Sequence, residues 1–213
     1  MKRHFLFFSL STLISLFSFG QKNNEVISVS LGYSSTNIVF KEAIEPSFQF
    51  FGNTFKAGKT FSGDGPEFGI SRSINTKLFI DCSFSSFSGN AVKTKVDNNE
   101  NYYTLKGFQL PLTANYLLRD NSKRLRINIG AGFQYLSGHL QQFEKIANNN
   151  GQTINQLSDI TVHELQLALR PGIQFRIIPN FFASFIVKAA VSTNGRYADN
   201  PCFSLKYTFT KKK

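Results

Sequence analysis

The chain has 213 residues, of which 24 are phenylalanine and none tryptophan, and a formal net charge of +11. Its length fits one domain, and beyond the first twenty residues no apolar run approaches the roughly 20 residues of a spanning helix. Any membrane insertion must therefore be as strands. The basic excess forms no helix face or recognition motif, which argues against a nucleic-acid partner.

The N-terminus reads as an export signal. Met1-Lys2-Arg3-His4 is basic, Phe5 to Phe19 is apolar apart from interspersed Ser and Thr, and Ser18 and Gly20 are the small residues of a cleavage site before Gln21. Residues 1–20 are expected to be removed, leaving 21–213 as a single outer-membrane barrel domain. No cysteine stands at that site to carry a lipid. Losing Lys2 and Arg3 takes the 24 basic side chains to 22 against 13 acidic ones, a net charge of about +9.

Eight strands follow, at about 26–34, 66–74, 77–87, 102–118, 125–136, 162–177, 181–191 and 202–210. The links alternate in length. Asn75-Thr76, Arg119 to Arg124 and Ile178-Pro179-Asn180 are tight turns of suitable composition, whereas 35–65, 88–101, 137–161 and 192–201 are longer and rich in Asn, Ser and Gly. An even-stranded membrane barrel with both termini in the periplasm has short turns on that side and long loops outside. Eight strands enclose an interior that side chains fill, so no open aqueous channel is expected.

The clearest single signal is Leu125 to Tyr135, where Leu125, Ile127, Ile129, Ala131, Phe133 and Tyr135 alternate strictly with Arg126, Asn128, Gly130, Gly132 and Gln134. The fourth, sixth and eighth strands repeat it, with Phe108, Leu110 and Leu112, then Leu165, Leu167 and Leu169, then Phe203, Leu205 and Tyr207 on the apolar side. Backbone groups in lipid must pair around a closed sheet, so the expected fold is all-β, an eight-stranded antiparallel up-and-down transmembrane β-barrel with outer-membrane lipids as its solvent. Arg72 falls on the apolar side two residues from a turn, where its head can reach the interface.

The polar face is expected to line the interior and to carry a charged network of Glu67, Asp81, Lys106, Arg126, Glu164, Arg170, Arg176, Lys188 and Lys206, since an unpaired charge in a dry plug is expensive. Cys82 and Cys202 fall on the third and eighth strands, too far apart for a disulfide. Basic residues crowd the short turns, suiting contact with phospholipid headgroups.

Gly65-Pro66-Glu67-Phe68-Gly69-Ile70 leading into Lys77-Leu78-Phe79-Ile80-Asp81, the run Leu105-Lys106-Gly107-Phe108-Gln109-Leu110-Pro111-Leu112, and Asn128-Ile129-Gly130-Ala131-Gly132-Phe133 resemble the PorT-like outer-membrane β-barrel family of Bacteroidota. The resemblance runs through most of the mature chain. It implies an outer-membrane barrel of about eight strands in a family mostly without assigned activity, one branch of which is similar to a component of protein secretion across the outer membrane. Phe209 would be the terminal aromatic that the barrel-insertion machinery reads, with Thr210-Lys211-Lys212-Lys213 as a periplasmic tail.

Candidates for catalysis are few: His139, His163, Glu144, Glu164, Ser137 and Ser158, which would have to assemble a Ser-His-Glu deacylase beside an oxyanion donor. Three histidines, one of them in the signal segment, give no metal set, and no cofactor is called for. The expectation is a small non-enzymatic barrel serving envelope structure, or binding an extracellular or envelope protein through its outer loops. A narrow conduit or an accessory role in outer-membrane transport or secretion is the alternative, and a lipid-modifying enzyme a more distant one. Loop 137–161, with Asn148-Asn149-Asn150-Gly151, and loop 35–65, with Phe48, Phe50, Phe51 and Phe55, are the expected contact surfaces.

Overall fold

A computed structural model of the chain describes residues 26–96, 99–118, 124–148 and 151–209. The expected signal peptide, the turn residues 119–123, Asn149-Asn150 and the terminal lysines lie outside these. The strands are β1 (Ile27–Val39), β2 (Ser47–Phe50), β3 (Asn53–Lys56), β4 (Thr60–Ser73), β5 (Leu78–Val96), β6 (Asn99–Leu117), β7 (Leu125–Asn148), β8 (Gly151–Leu169), β9 (Gly172–Ile178), β10 (Phe181–Ser192) and β11 (Tyr197–Phe209).

With the small β2–β3 hairpin set aside and β8 and β9 taken together, each strand pairs antiparallel with its neighbours in sequence, and β11 closes the ring by pairing with both β10 and β1 (Phe181↔Tyr207, Ile27↔Phe209). β8 and β9 form one stave of the wall. Pro171 interrupts it, lacking an N–H, yet Gly130 and Arg170 exchange both backbone hydrogen bonds at 3.0 and 2.8 Å across the break. The result is an eight-stave, up-and-down closed sheet. Closure leaves no open edge within the ring.

The polarity of this sheet is inverted relative to a water-soluble barrel. Leu31 and Leu165 on the outer face are 67% and 64% exposed, while Gln109, Asn115 and Asn200 on the inner face are wholly buried. Alternation makes this inevitable: once Leu110 and Leu112 face out, Gln109, Thr113 and Asn115 face in. Arg72 takes its place on the outer face, opposite Ile27 and Ile80.

Short turns close one end. Asn75 accepts hydrogen bonds from the backbone N–H groups of Lys77 and Leu78 through its Oδ1, both at 2.8 Å, and Asn180 supplies the left-handed conformation (φ 66°) that the β9–β10 turn needs. Cys82 and Cys202 are both free.

At the other end the segments expected to be loops are largely strand. β5 and β6 run on through most of 88–101, β7 and β8 through most of 137–161, and β11 begins at Tyr197 inside the expected loop 192–201. A membrane needs about 9–11 residues per strand, whereas β5 to β8 have 19, 19, 24 and 19. Their outer parts form a four-stranded sheet that projects beyond the ring. Strict apolar alternation is lost there because neither face meets lipid, so the sequence pattern that marks a spanning strand disappears while the backbone ladder continues.

Within the expected loop 35–65, β2 and β3 form a hairpin whose turn, Phe51-Gly52, has positive φ at both residues (50° and 78°). Phe48 and Phe55 stack across it with ring centroids 5.5 Å apart.

Candidate functional site

The inner face of the ring changes character along its axis. At the long-strand end it is apolar: Ile38, Phe40, Phe61, Phe87, Tyr103, Leu105, Leu136, Leu140, Val162 and Ala198 form one buried cluster. Phe61 packs edge-on against both Phe40 and Tyr103, with centroids 6.0 and 5.0 Å apart. The segment after β1 folds inward to complete this cap. There the Ile44 N–H donates to Gln142 Oε1 at 2.9 Å while Gln142 Nε2 donates to the Ile44 carbonyl at 2.7 Å.

Below the cap lies a charged belt. Lys188 Nζ is 2.5 Å from Glu67 Oε2, and Arg170 Nη2 is 3.2 Å from Asp81 Oδ2, with all four side chains almost completely buried. Arg170 Nη1 also donates to Asn115 Oδ1 at 3.0 Å. Gly130 leaves room for that carbonyl, since a Cβ there would lie 2.1 Å from Asn115 Oδ1. Glu164, a third carboxylate of the interior, pairs with Arg196.

Arg196 sits between belt and cap. Besides Glu164 it binds Glu42 of the inward-folded segment (Nη2 to Oε2, 2.5 Å) and lies over the Phe40 ring. Its hydrogen bond to Glu42 holds that carboxyl below the usual carboxylate range. Sequence reasoning left Arg196 in a loop, although the alternation Ala198, Asn200, Cys202 on the inward side could have extended the last strand back toward it.

At the short-turn end Arg126, Arg176 and Lys206 also face inward, but they meet aromatic rings. Arg126 and Arg176 lie 4.0 and 5.6 Å from the centroid of Phe182, and Lys206 lies 5.0 Å from that of Phe79. Of the nine charged residues expected inside, Lys106 is the exception: it is exposed on the outer face, opposite His139. The cause is parity, since Lys106 shares its side of β6 with Phe108 and Leu110, and its inward neighbour is Leu105.

The residues considered for catalysis partly converge on the outer face of β7 and β8. Ser137 Oγ is 3.1 Å and Tyr135 Oη 3.3 Å from His163 Nδ1, while His139 contacts Thr161 (2.8 Å) and Asp159 (3.4 Å). Gln141 donates to Asp159, which lowers that carboxyl's pKa, with Gln156 and His139 adding to the effect. Glu164 turns inward to Arg196 instead, and Ser158 donates to Gln142 at 2.6 Å. Ser137 lies on β7 between β6 and β8, whose ladders occupy its backbone groups.

The projecting sheet has two edges of different build. On β5, pairing with β4 reaches only Ser88, and the edge beyond carries Lys93 and Lys95, a bulge between Val92 and Thr94, and a bond from Lys93 to the Thr60 carbonyl. The β2–β3 hairpin approaches β5 and overlies the face of β5 to β7, with a cavity of about 380 Å³ lined by Phe48, Gln49 and Thr54 on one side and by Thr94, Asn101 and Glu144 on the other. On β8, β10 pairs only with residues 166–169, so residues 151–165, bulged at Leu157, have β7 alone as a strand partner among the described residues. That stretch contains no Lys, Arg or Pro.

A closed antiparallel sheet of eight staves is shared with solved bacterial proteins. The outer membrane protein OprG from Pseudomonas aeruginosa superposes with a TM-score of 0.51 at 11% identity, over 90% of this chain and 99% of that one. The fold is that of the outer-membrane β-barrels. CarO from Acinetobacter baumannii gives a TM-score of 0.50 at 10% identity over 84% of this chain and 97% of its own. The attachment invasion locus protein Ail of Yersinia pestis gives 0.49 at 13% identity, over 88% and 100%. No family model and no curated protein sequence matches the chain.

Proposed function

We propose that this protein is an exported, non-enzymatic outer-membrane barrel that binds an envelope or extracellular protein through the projecting sheet. The supporting observation is the β8 edge. Unpaired edge strands template further pairing, and proteins ordinarily blunt them with lysines, prolines, bulges or a covering segment. The β5 edge has lysines and a neighbouring hairpin besides its bulge, whereas residues 151–165 of β8, although bulged at Leu157, carry no lysine or proline and pair with no second strand among the described residues. An extended segment of a partner would add there by main-chain hydrogen bonds, with side-chain pockets giving selectivity.

In this reading the first twenty residues direct export and are removed, the outward leucines and phenylalanines contact outer-membrane lipid, the insertion machinery reads Phe209, and the long-strand end faces outside. Kinship with the PorT-like barrels of Bacteroidota belongs to the same proposal. The apolar cap weighs against a conduit, because a dry plug of Phe, Leu and Ile gives an ion no ligands.

The test places lysines on the free edge, Ile154→Lys with Asn155→Lys, in a tagged protein expressed in its host. Fractionation is expected to recover both forms in the outer membrane. Crosslinking on intact cells is expected to join the unaltered protein to a partner and to lose that product in the variant. An unchanged crosslinking pattern would remove the β8 edge from the proposal, and recovery of the protein in the soluble fraction would remove the membrane.

A further inference from the structure

A groove of about 760 Å³ crosses the lipid-facing wall over β7, β8 and β10, and we propose that it holds a resident phospholipid with an ammonium headgroup, one acyl chain in the groove and the ammonium on Asp199 at its end. Two rows of outward side chains shape it. Phe133, Leu167, Val191 and Tyr197 are paired across four neighbouring strands and form one wall. In the next row Leu169 has an alanine on either side, Ala131 and Ala189, so methyl groups stand where the wall carries rings and branched chains. Beyond Ala189 the same register reaches Asp199 and then Asn37, passing from apolar to polar. On β11 the outward side chains from Phe209 back to Pro201 are apolar, about the 9–11 residues of a spanning strand. Asp199 therefore stands where hydrocarbon gives way to headgroups.

Lipid tails are as apolar as leucine, so only fit and polar recognition can fix one lipid on such a wall. The groove provides the fit. An unfilled depression forfeits dispersion contacts, and a flexible chain restores them by bending past Leu169. A second barrel presents a convex wall, which cannot follow a groove bounded by Phe133 and Tyr197. Asp199 provides the recognition. It accepts from Asn37 Nδ2 at 2.7 Å, with Ser62 Oγ donating in turn to Asn37 Oδ1 at 2.6 Å, and the Tyr197 hydroxyl is its other neighbour. No lysine or arginine among the described residues forms an ion pair with it. A carboxylate positioned by neutral donors keeps its charge, so at the level of the headgroups it attracts an ammonium and repels an anionic lipid.

The test uses the full chain refolded in a non-ionic detergent, titrated with phosphatidylethanolamine or with phosphatidylglycerol of the same acyl chains and read by native mass spectrometry. Phosphatidylethanolamine is expected to saturate at one per barrel and to bind about tenfold more tightly than phosphatidylglycerol. Ala131→Leu with Ala189→Leu fills the groove and is expected to lose the bound lipid. Asp199→Asn should keep the chain site while bringing the two lipids to equal affinity. Ala183→Leu, at an outward alanine of β10 away from the groove, should change neither. Should the Asp199 variant fail to refold, nuclear Overhauser contacts from the lipid chain to the methyl groups of Ala131 and Ala189 in the unaltered protein serve instead, and they are expected to be present. No saturable lipid, equal retention of the two lipids by the unaltered protein, retention indifferent to the filled groove, a barrel dimer in place of bound lipid, or absence of those contacts would overturn the proposal.

Discussion

The two halves of the barrel's inner face solve the same packing problem with opposite chemistry. Toward the long strands the lumen is filled by Phe40, Phe61, Phe87, Leu105, Leu136 and Leu140, and toward the short turns by Glu67, Asp81, Arg170 and Lys188 with their amide and hydroxyl neighbours. The apolar half excludes water by packing alone. The charged half depends on each charge keeping its partner, because a carboxylate or ammonium stranded in the lumen has neither water nor a counter-ion. A strand can therefore carry a leucine inward without harm toward the long-strand end, while a single lost carboxylate a few residues lower leaves a buried charge.

Breaking a belt pair should have the largest effect. Glu67→Ala strands Lys188 and is expected to cost about 3–5 kcal/mol in urea unfolding of the folded barrel in lipid vesicles. The double change Glu67→Leu with Lys188→Met should recover most of that, since it removes the charge along with its partner. A cavity in the cap comes next: Leu136→Ala is expected to cost about 2–5 kcal/mol in the same assay.

A polar group in the belt without a strong partner sharpens the contrast. Gln109 is wholly buried, and its amide makes no hydrogen bond to any described residue. Gln109→Leu should therefore be neutral or slightly stabilising.

Glu42 ties the cap to Arg196, and its depressed pKa sets the sign of a small pH effect. A carboxyl whose folded pKa lies below its ordinary 4.5 contributes stability that is present at neutral pH and fades as pH falls through the folded value. With the Glu42 side chain more than half exposed, the contribution should be at most about 1 kcal/mol. Glu42→Gln should remove it, so the two stability curves ought to converge in acid. Lys106→Gln, on the outer face, should change stability by no more than about 0.5 kcal/mol.

The ring was legible in the sequence because lipid on one side and a filled lumen on the other force alternation, as in Leu125 to Tyr135. Strand ends were not. Above the apolar zone the ladder persists while the alternation that marks it is gone, so Asn99 to Asn101, Gln141 to Ile146 and Gly151 to Thr161 read as polar loops. The cap was hidden for a related reason. Ile38, Phe61 and Leu140 lay in those supposed loops, and Leu105 and Leu136 kept the inward parity of Gln109 and Gln134 while changing from polar to apolar. Lys106 was assigned by its charge when parity with Phe108 placed it outside. The placing of Arg126, Arg176 and Lys206 against aromatic rings depends on cross-barrel neighbours such as Phe182 and Phe79, which no pattern along one strand reveals.

The account stands on the inverted polarity of the sheet, and electrophoretic migration of the mature chain refolded in detergent tests it most directly. The unboiled sample should run as a compact band ahead of the boiled one, as a closed sheet that resists the denaturing detergent would. A chain that stays soluble without detergent and migrates identically before and after boiling would contradict it.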